Sequence, residues 1–315
     1  MSAISQLPIC QDVAKPAEFG VSQKTVSRFS DYMEIVKPRI SLMVLLTVSC
    51  GYVLGMESAS VSLTLLHACV GIAVVAIGSS AVNQWIERET DSRMRRTMNR
   101  PLPSGRMDPA EVLAVGLTAA TLGCTYLALS VNLTTALLTG ITFVLYACVY
   151  TPLKRYTSLC TVVGAIPGAL PPVLGWLAAG GRFDSAAFAL FAILFLWQFP
   201  HFFAIAWIYR DQYCQAGLRM LPAGKSLPHV TGLLAVTYAV CLIPVSLLPS
   251  QCGLAGDTYA IVAIGIGAAY LIASILFAWQ ETRTSARRLL LTSLIYLPVL
   301  LLTLVWDHHR LLDRF

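Results

Sequence analysis

Charge is what this sequence has least of. Only 12% of its 315 residues are Asp, Glu, Lys or Arg, where soluble domains carry about 25%. That shortage excludes a solvated globular surface as the main boundary of the protein. Hydrophobic residues make up 57% of the chain. Metal-binding cysteine patterns are also missing, since no CxxC and no Cys/His spacing points to zinc. Cys50, Cys69, Cys124, Cys148, Cys160 and Cys241 fall inside apolar runs, where cysteine acts as a small apolar residue. Cys252 lies outside them with no obvious partner. No internal repeat and no low-complexity segment stands out. Residues 1–36 are polar, and Pro8, Asp12, Pro16 and Glu18 suit neither a signal peptide nor an Arg-rich transit peptide. They are expected to form a flexible cytoplasmic tail ahead of a single membrane domain, residues 37–315.

Long apolar runs are abundant. A crossing of the hydrocarbon core takes roughly 17–25 mostly apolar residues. Nine runs qualify, at 40–56, 63–86, 110–130, 133–150, 159–179, 185–209, 230–248, 259–278 and 289–306. Backbone groups in lipid must be satisfied within the segment, so these are predicted helices. Continuous apolar runs do not match the alternation of a membrane barrel. The fold class is all-α and polytopic. With nine crossings, 19 of the 22 Lys and Arg residues lie on the N-terminal side and Arg182, Arg310 and Arg314 on the other. The positive-inside bias makes the first side cytoplasmic. The weak transit-peptide signal favours a bacterial plasma (inner) membrane. The net charge of +6 is thus mostly topology and no argument for nucleic acid.

The scarce charge is concentrated. Residues 83–100 hold three acids and five arginines. Asn83, Glu87 and Asp91 are spaced four apart, so they drift slowly around one helix face. Magnesium typically takes one or two carboxylates and completes its shell with water and phosphate oxygens. Arg96 and Arg100 follow, and guanidinium forks suit phosphate. The alternative is a solvated loop with local pairs such as Glu87 with Arg88 or Asp91 with Arg95. It leaves unexplained why Asn83 and Glu87 end an apolar run, where polar groups are functional by default.

Two further segments carry polar groups on the same side. Tyr150-Thr-Pro-Leu-Lys154-Arg155 is by itself an interfacial anchor, but beside an acidic metal site its cations gain a role as phosphate counter-charge. Trp197-Gln198-Phe-Pro200-His201-Phe202-Phe203 places Gln198 and His201 in a span that Pro200 should kink. Its aromatic faces suit a carbocation. His201 is either a hydrogen-bonded helix residue or a contact to substrate or iron. Asp211 and Tyr213 follow at the cytoplasmic end. Gly164, Pro167, Gly168, Pro171, Pro172 and Gly175 break up the fifth span and point to a cavity wall beside Lys154 and Arg155.

Together the strings NQWIERETDSRMRRTMNRPLPSGR, YTPLKRYT, GAIPGALPPVLGW and FLWQFPHFFAIAW followed by DQYCQAGLRMLP resemble the UbiA superfamily of intramembrane prenyltransferases. The resemblance runs from Lys37-Pro38-Arg39 to Trp306, and the Trp197–Phe202 string points to its haem-farnesylating branch. It implies a barrel of nine spans around a central cavity open to the membrane. It also implies a metal–diphosphate motif NxxxDxxxD, here with Glu87 at the first acidic position. The second acidic motif of the superfamily is reduced here to Asp211 with Gln215. On this resemblance Asn83, Glu87, Asp91 and Asp211 hold Mg2+. Arg96 and Lys154 assist ionisation. Arg100, Arg155, Tyr150, Trp197, Gln198, His201, Phe202 and Tyr213 contact substrate. The implied substrates are farnesyl diphosphate and protoheme IX, in contact with membrane lipid. Haem A synthase or cytochrome oxidase assembly factors are the implied protein partners. The alternatives are a prenyltransferase of the same fold with a quinone-precursor or chlorophyll-type acceptor, and a membrane transporter.

Overall fold

The computed structural model describes residues 27–56, 63–219 and 229–312. Eleven helices account for most of them: α1 Arg28–Val36, α2 Pro38–Leu54, α3 Leu63–Asp91, α4 Pro109–Ser130, α5 Leu133–Leu153, α6 Cys160–Ala178, α7 Ser185–Ile208, α8 Arg210–Gln215, α9 Val230–Gln251, α10 Asp257–Trp279 and α11 Arg283–Leu312. Eight are long and apolar enough to cross a membrane, and α2 is a shorter ninth of 17 residues. All nine expected spans are therefore helices, and the chain is a multi-pass integral membrane protein. Large aliphatic side chains such as Leu63, Leu129 and Ile261 are exposed on the outer faces, as a lipid-facing surface requires.

Local chemistry sets the helix ends. Asp108, Asn132 and Asp184 accept hydrogen bonds from the backbone N–H groups of Ala110, Thr135 and Ala187 and cap α4, α5 and α7. The polar segment 28–36, expected within the tail, instead forms α1. Its Asp31 and Glu34 pair with Arg106 at 2.7 and 3.1 Å, and Ile35 is buried against Ala81, Leu102 and Val112. A sequence this polar becomes helical because the loop after α3 supplies both its counter-charge and its apolar cover. The remainder of the expected tail, residues 1–26, lies outside the described residues.

The helices form a ring. Neighbours in sequence pack on one another, α7 touches α6, α9 and α11, and the ring closes where α11 meets α2. Two irregularities shape its interior. The end of α5 widens into π-helical turns over Val144–Tyr150, a distortion often found at functional sites. In α6, Pro171 starts a second segment, and that segment lies against α2 with backbones in contact. A Cβ on Gly175 would fall 1.9 Å from the Val48 carbonyl oxygen, and one on Gly51 would fall 1.9 Å from that of Pro172. Only glycine permits this approach.

Candidate active site

The site grows out of one stripe on α3. Ile72, Val75, Ala76, Ser79 and Ser80 line a central cavity of about 350 Å³. Their spacing is that of one helix face, and Asn83 and Glu87 continue it. Parallel stripes face them: Lys37, Ile40 and Val44 from the start of α2, then Thr139, Phe143, Tyr146 and Tyr150 from α5. From α6 come Gly164, Pro167, Gly168, Pro171 and Leu174, the wall expected from its breaks.

At the polar end, Asn83, Glu87 and Asp91 are 2%, 9% and 1% exposed. Asn83 Nδ2 donates to Glu87 Oε2 at 3.1 Å and to Thr151 Oγ1 at 3.0 Å. Glu87 Oε1 accepts from Lys154 Nζ at 2.8 Å, and Asp91 Oδ2 accepts from an Arg100 NH group at 2.7 Å. The local pairs Glu87–Arg88 and Asp91–Arg95 do not form; both acids choose distant partners, while Arg88 sits 3.7 Å from Glu89. Lys154 also lies over the Tyr150 ring at 4.3 Å. Burial pulls its ammonium pKa down, but Glu87 beside it lifts it well above the ordinary value, so it stays charged. Arg155 donates to the Ile86 carbonyl at 2.9 Å and braces the same turn.

Lys37 is the site residue that sequence reasoning passed over. Its Nζ donates to Asn83 Oδ1 at 3.3 Å, and burial, with Arg100 nearby, brings its pKa down to about 8. Its backbone is left-handed, φ 50°, at the junction of α1 and α2. A non-glycine residue there stores strain. The junction is held because Ser80 and Gln84 both donate to the Ile35 carbonyl and Ser41 donates to that of Val36. The signal in the sequence is Lys37-Pro38-Arg39, a cation directly before a helix-starting proline.

The aromatic string on α7 divides between two faces. Gln198 and Phe202 line the cavity. Gln198 Nε2 donates to the carbonyls of Ala165 and Leu194, and Gly168 leaves room for it, since a Cβ there would fall 2.1 Å from Gln198 Oε1. Trp197 and His201 stack on each other and both bond Ser293 of α11, through the Trp197 Nε1–H to its carbonyl and His201 Nδ1 with its hydroxyl at 2.8 Å.

Three expected residues do not join the cluster. Asp211 is 85% exposed and its nearest charge is Arg210 at 3.6 Å, because the buried face of α8 is turned by Tyr213. Tyr213 itself packs with Met94, Ala206, Ala216 and Leu218. Arg96 is exposed, with its guanidinium over the Tyr209 ring at 4.7 Å. Among the described residues no three His, Cys, Asp or Glu side chains form a cation cage. The four donors expected from the sequence, Asn83, Glu87, Asp91 and Asp211, are therefore not gathered in this structure, where Asp211 stands apart beside Arg210. The remaining donors, one amide and two carboxylates on one face, suit a magnesium ion that keeps water and phosphate oxygens in its shell.

Residues 44–304 match the model of the UbiA prenyltransferase family. The chain belongs to the UbiA prenyltransferase family. Among curated UbiA relatives, protoheme IX farnesyltransferase of Solibacter usitatus is 43% identical over 86% of this chain and 96% of its own. That of Myxococcus xanthus is 41% identical over 88% and 94%. Of solved structures, a digeranylgeranylglyceryl phosphate synthase shares the fold with a TM-score of 0.73 at 18% identity, covering 89% of this chain and 98% of its own. A UbiA homologue from Archaeoglobus fulgidus bound to GPP and Mg2+ has a TM-score of 0.63 at 15% identity, covering 87% and 99%. The transporter alternative is excluded by the family, and the UbiA fold fits the ring of nine helices.

Proposed function

We propose that this UbiA prenyltransferase moves a farnesyl group from farnesyl diphosphate to a vinyl group of protoheme IX, giving haem O. One observation carries the reading: buried acids at the mouth of an apolar cavity are held by lysine and arginine side chains that can turn to a diphosphate. The acceptor is taken from relatives named protoheme IX farnesyltransferase, 43% and 42% identical over most of the chain. The positive-inside bias supports a cytoplasmic mouth and N-terminus, and the weak transit-peptide signal supports a bacterial inner membrane.

Lys37, Arg100, Lys154 and Arg155 surround the place where the diphosphate sits. As its C1–O bond breaks they stabilise the charge that grows on the leaving oxygen, usually the largest catalytic contribution. Asn83, Glu87 and Asp91 would hold Mg2+, and the ion would supply Lewis-acid stabilisation of the same oxygens. Tyr146, Tyr150, Phe143 and Phe202 line the cavity, and aromatic rings there would stabilise the allylic cation and keep water from it. The terminal vinyl carbon of haem attacks the cation. Water then adds to the other vinyl carbon and gives up a proton to the departing diphosphate, leaving a hydroxyethylfarnesyl side chain. Trp197 and His201, on the α11 side of α7, are assigned to the haem.

Purified protein with protoheme, farnesyl diphosphate and magnesium should yield haem O by mass spectrometry of the extracted haem. A prenylated quinone precursor in place of haem O would move the chain to another acceptor branch. His201→Ala should keep farnesyl diphosphate binding while transfer to haem falls about tenfold or more, the size expected for losing one polar contact. Equal loss of both would take His201 out of the acceptor role.

A further inference from the structure

The cavity ends at a definite depth. Along the α3 face the side chains pass from carboxylate and amide at Glu87 and Asn83, through Ser80 and Ser79, to aliphatic Val75 and Ile72. Ile72 is 3% exposed and packs with Val48, Leu127, Ala136 and Leu174. Behind this floor α2 and α6 meet backbone to backbone at the Gly51–Pro172 and Gly175–Val48 contacts. Helices in that contact have no side chain to move aside, so the cavity cannot lengthen in their direction. Its depth is left to the floor side chains.

α3 also supplies a ruler. Eleven positions separate Ile72 from Asn83, a rise of about 16 Å. Each isoprene unit adds four bonds along the chain. An extended chain covers about 3.3–3.6 Å in three bonds, so one unit spans roughly 4.5 Å and three units roughly 14 Å. A fourth unit would need roughly 18 Å and would end inside the Ile72 side chain. Three units fill the space between the polar mouth and the floor.

We propose that Ile72 limits the isoprenoid to three units, a specificity that rests on the reading of this cavity as the prenyl site. The test offers geranyl, farnesyl and geranylgeranyl diphosphate in competition, with protoheme, to wild type, Ile72→Ala and Ile72→Phe. Haem products are resolved by mass. The smaller side chain should raise the kcat/KM ratio of C20 over C15 by roughly tenfold or more, the scale on which pocket size discriminates. The larger one should shift the preference toward C10. Each ratio is taken within one protein, so loss of folded material does not change it, and one folded variant suffices. Unchanged ratios overturn the role of Ile72 while leaving farnesyl transfer intact. A wild type that makes no farnesylated haem overturns the functional reading instead.

Discussion

Acids are buried at both ends of the helix ring, and they are held differently. On the far side from the cavity mouth, Asp307 of α11 is 2% exposed and accepts from the backbone N–H groups of Gly256 and Tyr259 at 2.7 and 3.2 Å. It joins α11 to the start of α10, and its donors cannot leave without unwinding that helix. At the mouth, Asp91 is as deeply buried and Glu87 nearly so, but they are met by Arg100 and Lys154 at 2.7 and 2.8 Å. Those partners are long side chains with rotatable stems. A ligand with its own oxygens can take them over without disturbing the fold. Burial alone therefore does not mark a functional acid; an exchangeable partner does.

The sharpest way to break this comparison is at the mouth. Glu87→Gln and Asp91→Asn should each lower prenyl transfer by about 10²–10³-fold or more, as for other groups that stabilise developing charge. Glu87→Gln also leaves Lys154 buried without a counter-charge, which costs about 3–5 kcal/mol. Adding Lys154→Gln should restore the melting temperature but not the turnover. If the double variant regained activity, the pair would be structural like Asp307 and the contrast would vanish.

Lys37→Met comes next. Losing one charge-assisted hydrogen bond, about 1.5–3 kcal/mol, should raise the KM for farnesyl diphosphate about 10–100-fold. Stability should hold or rise, because a half-buried charge is removed from a left-handed junction. A fall in melting temperature with unchanged KM would make Lys37 a brace for Asn83 and nothing more.

The nine crossings were legible in the sequence because apolar length is a one-dimensional signal. So was the shared helix face of Asn83, Glu87 and Asp91, since four-residue spacing can be read without coordinates. Lys37, Thr151 and the choice of Lys154 for Glu87 were not. They depend on which helices become neighbours, and Thr151 reaches Asn83 across 68 positions of chain. The split of the α7 string was also hidden. Spacing places Gln198 with Phe202 and Trp197 with His201, but not which pair faces the cavity and which faces α11. Residues 28–36 misled for the opposite reason: their cover, Arg106 and Leu102, lies on a loop whose position no periodicity reveals.

At the far end, Asp307→Ala should leave kcat/KM within about twofold and cost about 1–3 kcal/mol in thermal unfolding, because two backbone donors lose their acceptor. Loss of activity at full stability would give the outer end a role that its contacts do not suggest.

The smallest effect belongs to Asp211, the acid that is neither buried nor exchangeably paired. Its side chain is 85% exposed, with Arg210 at 3.6 Å. Exposed pairs of this kind contribute about 0–1 kcal/mol, so Asp211→Asn should change kcat/KM less than about threefold and leave the magnesium requirement where it was. The magnesium titration is the sensitive readout. A metal held by Asn83, Glu87 and Asp91 alone keeps its half-saturation when Asp211 is neutralised. A metal shared with α8 loses affinity at once, even at saturating farnesyl diphosphate. A tenfold rise in the magnesium needed for half-maximal rate would bring α8 to the mouth during turnover and add a third class of acid to the two compared above: one that becomes a ligand only when substrate draws its helix in.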